Sequence, residues 1–307
     1  MGSPMLTIAI PTKDRPEWLR RALMSVLDHS VDQAKLEILV SDNSTTSLTQ
    51  KIAEDLKQPN LRYWRNTPPS SMVANWNILL SMASGKYVLW LHDDDFLLPG
   101  SLHGILQTLK SDRSDFHAFS ARIVDDQERP MKRGGSHIEK KLCPRDALLA
   151  LFTHSSFIRF PSAVVLTDLA KSTGGFIVES GDLADLCLWS RLASSSGIAC
   201  HALNTVAYTV HSAQATSRMF QAITLLRVSE MARRYERIVG TENLNRALGR
   251  FFWRFVLGGA TRALRKGDLK EVKRILHISD GEMFHAKPCP TQWLPLRGLL
   301  FLAGKFG

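Results

Sequence analysis

Cysteine is scarce in this chain and follows no metal-binding or disulfide spacing. Cys143, Cys187, Cys200 and Cys289 stand far apart without a C-x-x-C pair, which argues against a zinc knuckle or a disulfide framework and makes a reducing cytosol the expected compartment. Long hydrophobic runs are missing too. No apolar stretch approaches the roughly 18 residues needed to cross a bilayer, and the first residues lack the basic and apolar regions of a secretory signal. Residues 1–4 read as an added leader ahead of a natural start at Met5. What is present, 307 residues with 44% hydrophobic content, suffices to bury a full α/β core with an appended subdomain.

Acidic residues run short in one part only. Residues 216–307 carry 17 Lys/Arg against 7 Asp/Glu, whereas the first 215 residues carry 22 of each, so the formal net charge of +10 resides in the last stretch. This predicts a body over 5–215 and a basic helical extension over 216–307. Such an extension either faces an anionic partner, a membrane surface or nucleic acid, or is a solvated basic face.

The richest signal is Tyr87-Val88-Leu89-Trp90-Leu91, a buried strand by composition, which runs straight into His92-Asp93-Asp94-Asp95. Three like charges at a strand tip repel one another and call for a cation. Hard divalent ions such as Mg²⁺ and Mn²⁺ take oxygen ligands and commonly share them with phosphates. A solvated acidic turn is the plainer alternative, but ligands of open α/β sheets gather at the carboxyl ends of strands. Upstream, Leu6-Thr7-Ile8-Ala9-Ile10, Leu36-Glu37-Ile38-Leu39-Val40 and Leu61-Arg62-Tyr63-Trp64 read as strands, separated by helices over 16–27 and 48–56, with a further helix over 72–83. This alternation predicts an α/β, Rossmann-like, mostly parallel sheet flanked by helices, with polar strand ends along one edge.

These segments resemble family 2 glycosyltransferases of the GT-A fold. Ile8-Ala9-Ile10-Pro11-Thr12-Lys13-Asp14-Arg15 is similar to their opening strand-Pro-Thr-x-Asn-Arg element, Ile38-Leu39-Val40-Ser41-Asp42-Asn43-Ser44 to the V-D-D-x-S element, and Asn77 with Gly85-Lys86-Tyr87 to the approach to the D-x-D motif on which Asp93-Asp94-Asp95 falls. The match runs in register over roughly the first 110 residues, with weaker echoes to about 215. Asp14 replaces the usual Asn, and His92 the usual first acid of D-x-D. The resemblance implies an inverting, metal-dependent transfer of a sugar from a nucleotide-diphosphate donor. Pro11, Thr12 and Asp14 would contact the nucleoside, Asp42 the base, Arg15 a phosphate or Asp42, and Asn77 the donor. Asp94 would hold Mn²⁺ or Mg²⁺ with Asp95, and Asp93 and Asp95 would reach sugar, ribose or metal-bound water. In structural terms Thr12 and Asp14 could instead cap the helix that Pro16 begins, and Asp42 could shape a turn.

The family's E-D-x-x-L-W-x-R-L motif matches the stretch ending Asp185-Leu186-Cys187-Leu188-Trp189-Ser190-Arg191-Leu192-Ala193. The resemblance puts Asp185 at the general-base position, with Asp182 one turn earlier as the alternative. A plainer reading makes them a helix cap and a first-turn dipole partner. His211, after a short strand over 205–210, resembles the family's H-x-x-x-x-S loop, whose His completes metal or diphosphate binding.

Residues 293–306, apolar with aromatic ends and cations at the margins, suit an interfacial segment on a bilayer or a strap packed on the body. The expected whole is a transferase of cell-surface polysaccharide or lipopolysaccharide assembly. Its acceptor would be a glycan, lipid-linked, and it would sit in the cytoplasm, peripheral on the inner face of an anionic membrane. A sugar-phosphate nucleotidyltransferase would need a glycine-rich phosphate loop, and no glycine stands between positions 11 and 16. A basic nucleic-acid-binding protein would leave the acid triplet without a role, so no nucleic acid is expected.

Overall fold

A computed structural model of the chain describes residues 3–131, 137–154, 156–211, 220–281 and 287–304. The chain divides into two compact units: the first comprises Met1–Pro144 and Ile158–His211, the second Arg145–Phe157 and Ser212–Gly307. The segment 145–157 thus groups with the C-terminal residues.

The first unit opens with the predicted alternation: β1 (Leu6–Thr12), α1 (Pro16–Leu27), β2 (Leu36–Asp42), α2 (Leu48–Asp55), β3 (Leu61–Arg65), α3 (Met72–Met82) and β4 (Tyr87–Trp90). All seven residues of β1 and of β2 are buried, as strands covered on both faces require. Pro16 starts α1 where its missing N–H costs nothing, and Leu19, Ala22, Leu23 and Val26 turn one face inward. Ser71 caps α3 by accepting from the Ala74 N–H. The four strands are parallel in the order β3-β2-β1-β4. Their register sets Thr12 beside Asp42 and Asp42 beside Arg65, so one sheet edge gathers the ends of three strands.

Past β4 the sheet becomes mixed. β5 (Phe96–Leu97), α4 (Ser101–Ser111), β6 (Phe116–Asp125), β7 (Lys140–Leu142) and α5 (Pro144–Thr153) are followed by β8 (Ala163–Leu166), α6 (Thr167–Ser172), α7 (Ala184–Ser196) and β9 (Ile198–Val210). β8 lies antiparallel between β4 and β6, β6 runs parallel to β9, and β5 and β7 pair antiparallel with β9. Half of the ladders are therefore antiparallel, and the parallel ones are the three among the first four strands and the β6–β9 pair. β9 is 13 residues long, extending the strand expected over 205–210 toward the N-terminus. A register shift against β6 between Phe119 and Ala121 marks an irregularity at its middle, where residues 202–204 are exposed. Because β5 begins one residue after Asp95 and pairs with β9 at Phe96–Ala207, the acid triplet is confined between β4 and the end of β9. Trp90 stacks edge-on with Phe176 and Trp189 at centroid distances of 5.0 and 6.3 Å, which seats α7 on this sheet.

In the second unit, α8 (Ala222–Arg233), α9 (Glu236–Val239), α10 (Thr241–Arg265), α11 (Leu269–His277) and α12 (Leu294–Gly304) follow α5. Leu244, Leu248, Phe252 and Val256 of α10 are buried, as are Val272, Ile275 and Leu276 of α11. Leu300 of α12 is buried and Gly304 lies against Leu276 and Lys273, whereas Leu294, Leu296, Leu299 and Leu302 are exposed. Among the described residues no helix is long and apolar enough to cross a membrane. Residues 212–219, including the loop residues after His211 as far as Ser217, lie outside the described residues.

Candidate functional site

The loop after β1 is built around Asp14, whose φ of 52° lies in the left-handed region that Asn and Asp tolerate better than other side chains. Its N–H donates to Ser44 Oγ at 2.7 Å, and its Oδ1 accepts from the Thr45 N–H and hydroxyl at 2.8 and 3.0 Å. The Thr45 N–H chiefly holds its carboxyl below the ordinary range. Asp14 thereby ties the first strand-end loop to the second. Pro11, inside β1 opposite Ser41, is buried.

The acid triplet converges with both ends of the unit. Thr12 donates from Oγ1 to Asp93 Oδ2 at 2.9 Å, and Arg15 Nη1 reaches Asp93 Oδ1 at 3.2 Å and Asp94 Oδ2 at 3.3 Å. From β9, His211 Nε2 meets Asp94 Oδ2 at 2.9 Å, and the Thr209 N–H donates to Asp95 Oδ1 at 2.8 Å. Arg21 Nη2 donates to the Asp94 carbonyl oxygen, its guanidinium lying near the rings of Trp18 and Phe96. Trp18 meets His211 edge-on at 4.6 Å. His92 is stacked between Trp76 and Phe160 at 5.5 and 4.3 Å, and its Nε2 is buried without a hydrogen-bond partner among the described residues.

The three carboxyls differ in charge. Burial, then the charge of Asp94, pushes Asp93 up to about 6 and Asp95 well above the ordinary range. Burial works against Asp94 too, but the His211 hydrogen bond and the nearby His92 and Arg15 outweigh it and hold Asp94 below that range. One carboxylate is thus firmly ionised between two whose ionisation is opposed by burial and by its charge.

Asp42 is wholly buried. Its Oδ1 accepts from the Ser44 N–H at 2.7 Å, and its Oδ2 accepts from the Tyr63 hydroxyl at 2.6 Å and from Thr49 Oγ1. These contacts make Asp42 the anchor of the β2–α2 turn; its assignment to the base rests on the resemblance. Asn77 likewise spends its amide on one backbone unit, donating to the Phe176 carbonyl and accepting from the Phe176 N–H, both at 2.8 Å. The geometry brings Asn77 to the 173–177 turn, with no contact to the triplet among the described residues. Sequence reasoning missed Asn75, whose Oδ1 accepts from Ser41 Oγ and Asn66 Nδ2, while Asn66 also donates to Asn43. Arg21, Trp18 and Tyr63 were missed as well; Trp18 and Arg21, three apart on α1, share a helix face and offered a faint signal.

Asp185 opens α7, half-buried, with Oδ1 accepting from the Leu186 N–H at 2.6 Å. Burial raises its carboxyl to about 6 against the pull of that N–H, the range in which a general base works near neutrality. Asp182 is exposed, in a short 3₁₀ turn over Val178–Leu183. Neither touches the triplet directly. Trp189 lies one turn beyond Asp185 on the same face and packs on Trp90, while Arg191 donates to the Thr173 and Gly175 carbonyls. The motif's Trp and Arg are therefore the residues that fix α7 in place.

Comparison with known proteins matches residues 7–171 to the description "Glycosyl transferase family 2". An uncharacterised protein of Mycobacterium tuberculosis is 29% identical over 208 residues, 64% of each chain. A Campylobacter jejuni GalNAc(5)-diNAcBac-PP-undecaprenol beta-1,3-glucosyltransferase is 29% identical over 168 residues, 53% of each chain. The match thus spans between about half and just under two thirds of these relatives' length. The fold is shared with residues 1–349 of Staphylococcus aureus TarS in complex with UDP-GlcNAc, at 17% identity and a TM-score of 0.67 over 97% of this chain and 88% of that one. It is also shared with a Pyrobaculum calidifontis mannosyltransferase in complex with GDP-Man and Mn²⁺, at 16% identity and a TM-score of 0.56 over 98% and 86%. With its opening strands and its acid triplet inside the matched residues, the chain belongs to glycosyl transferase family 2 and has the GT-A fold.

Proposed function

We propose that this protein moves a sugar from a nucleotide-diphosphate donor to a hydroxyl of a lipid-linked glycan, with inversion and with a divalent ion. The observation that carries the reading is the convergence of Arg15 and His211 on the ionised Asp94 at the carboxyl ends of the parallel strands. The residues suit Mn²⁺ or Mg²⁺: one side-chain atom each of His92, Asp94 and Asp95 lies within 4.8 Å of the others, and His92 Nε2 is a buried nitrogen lacking a partner among the described residues. Asp94 would be the chief ligand, with Asp95 and His211 beside it. When bound, such an ion neutralises charge on a departing diphosphate.

The chain's own residues would do the rest. Arg15, more exposed than the carboxylates it bridges, can turn from them to a phosphate oxygen. Thr12 keeps Asp93 oriented, and Asp14 fixes the loop that would receive the nucleoside. Asp185, its carboxyl near 6, would take the proton from the acceptor hydroxyl as that oxygen attacks the anomeric carbon opposite the leaving group. The Campylobacter jejuni relative is named for a diphospho-undecaprenol acceptor, which supports a lipid-linked acceptor here. The exposed leucines of α12 beside a strongly basic composition support a peripheral place on an anionic membrane, on its cytoplasmic face.

The test is thermal: a nucleoside diphosphate with Mn²⁺ should raise the melting temperature of the wild type and leave that of Asp94→Ala unchanged, since a ligand of the folded state stabilises it. If none of the common nucleoside diphosphates does so with Mn²⁺ or Mg²⁺, the donor reading fails.

A further inference from the structure

A second cluster of metal-type side chains lies where β6 and β9 begin, far from Asp94. His117 Nδ1 and His201 Nε2 are 3.0 Å apart, and one ligand atom each of Asp112, His117 and His201 lies within 4.8 Å of the others. His201 and His211 are ten positions apart along β9, about 30 Å at the rise of a strand, so this cluster is separate from the acid triplet.

The proton positions make the histidine pair unusual. Glu139 Oε2 sits 3.2 Å from His201 Nδ1, and a carboxylate there fixes the proton of a neutral imidazole on Nδ1. The lone pair of His201 Nε2 then points at His117 Nδ1. Two lone pairs cannot face each other at 3.0 Å without an electrophile between them. If that electrophile is the proton of His117, its Nε2 becomes a bare acceptor, and this atom is buried with no partner among the described residues. If it is a metal ion, both lone pairs are used and the His117 proton sits on Nε2.

We propose that Asp112, His117 and His201 form a site for a divalent transition metal of the zinc type, with Glu139 orienting His201 from outside. Nitrogen atoms 3.0 Å apart are close to the roughly 3.3 Å separation set by tetrahedral zinc with Zn–N bonds near 2.0 Å. Asp112 takes the Ser114 N–H, the Ser114 hydroxyl and Lys141 on Oδ1, leaving Oδ2 without a hydrogen bond among the described residues. Lys141 is largely exposed and free to swing away. Two imidazoles, one carboxylate and the Glu139 charge balance a dication, with a fourth position for water, and the carboxylate–histidine–metal relay is a recurrent second-layer arrangement. A metal here would pin the α4–β6 connection to β9.

The experiment uses the full chain stripped with chelator, titrated with Zn²⁺ by calorimetry and assayed for bound zinc after gel filtration. The wild type should take up Zn²⁺ with one equivalent that persists in Asp94→Ala. Glu139→Gln should weaken it at least tenfold, and His201→Gln and Asp112→Asn should lose it while keeping the wild-type circular dichroism spectrum. Asp112→Asn alters a partly exposed side chain and serves as the variant of record should His201→Gln fail to fold. Zinc binding undiminished in folded Asp112→Asn, its loss in Asp94→Ala, or no zinc uptake by the wild type would each overturn the proposal, and none of these bears on donor binding with Mn²⁺.

Discussion

Asp94 and His211, 117 positions apart, meet with Oδ2 and Nε2 at 2.9 Å, so the acid four residues past β4 is completed by the residue that follows β9. Replacing His211 by alanine removes a partner that holds Asp94 ionised. His211→Ala should weaken Mn²⁺-dependent nucleotide binding about 10- to 100-fold, the cost usual for metal-site support residues, and Asp94→Ala should abolish transfer. Calorimetry with and without Mn²⁺ reads both; unchanged affinity in His211→Ala would leave the histidine a structural partner only.

Asp185 gives a pH signature with a fixed sign. Its carboxyl keeps a proton to about 6 in the fold but only to about 3.9 in an unfolded chain. Between those values the native state binds more protons, so stability falls as pH rises through the window and the cost is complete above it. The turnover rate should rise with pH through about 6 as the base is freed. Asp185→Asn should lower the rate about 10²-fold or more, and relative to wild type should gain more melting temperature at pH 8 than at pH 4. If Asp182→Asn carries the rate loss while Asp185→Asn stays active, the base lies one turn earlier.

Asp42 tests packing against binding. Three donors converge on its buried carboxylate, and leaving buried donors unpaired costs about 1–3 kcal/mol each. Asp42→Ala should lose at least about 2 kcal/mol in urea denaturation by that reckoning, with Tyr63→Phe losing less. A variant of wild-type stability that binds nucleotide poorly would return Asp42 to the donor.

On α12, Leu300 is buried while Leu299 and Leu302 are exposed, so the two faces can be separated. The double substitution Leu299→Asp with Leu302→Asp should release the protein from anionic liposomes in a sedimentation assay without moving its melting temperature. Sedimentation equal to wild type would reject membrane contact through this helix.

The first four strands were legible because three are short apolar runs closed by polar turn residues and β3 is a short aromatic-rich run, patterns that need no knowledge of partners. Thr12, Arg15, the triplet and His211 were legible as a site only through their order along the chain, and it is the β5–β9 pairing that brings His211 onto Asp94. Asn66 and Asn75 were not, since their contacts join β2 to a loop and a helix and leave no period in the sequence. Nor was the pairing of His117 with His201, because the strand over 205–210 was read too short to include the second. The grouping of 145–157 with the C-terminal unit depends on long-range packing that no local pattern records.

The amide cluster has a practical corollary. The segment after β3 is held to the end of β2 by side chains, Asn43 donating to the Ser70 carbonyl and accepting from its N–H, and Asn66 reaching Asn75. A stretch clipped on in this way behaves as a cassette. Its interior, residues 67–69, can be exchanged for a relative's sequence with the clips and the strands beneath left standing.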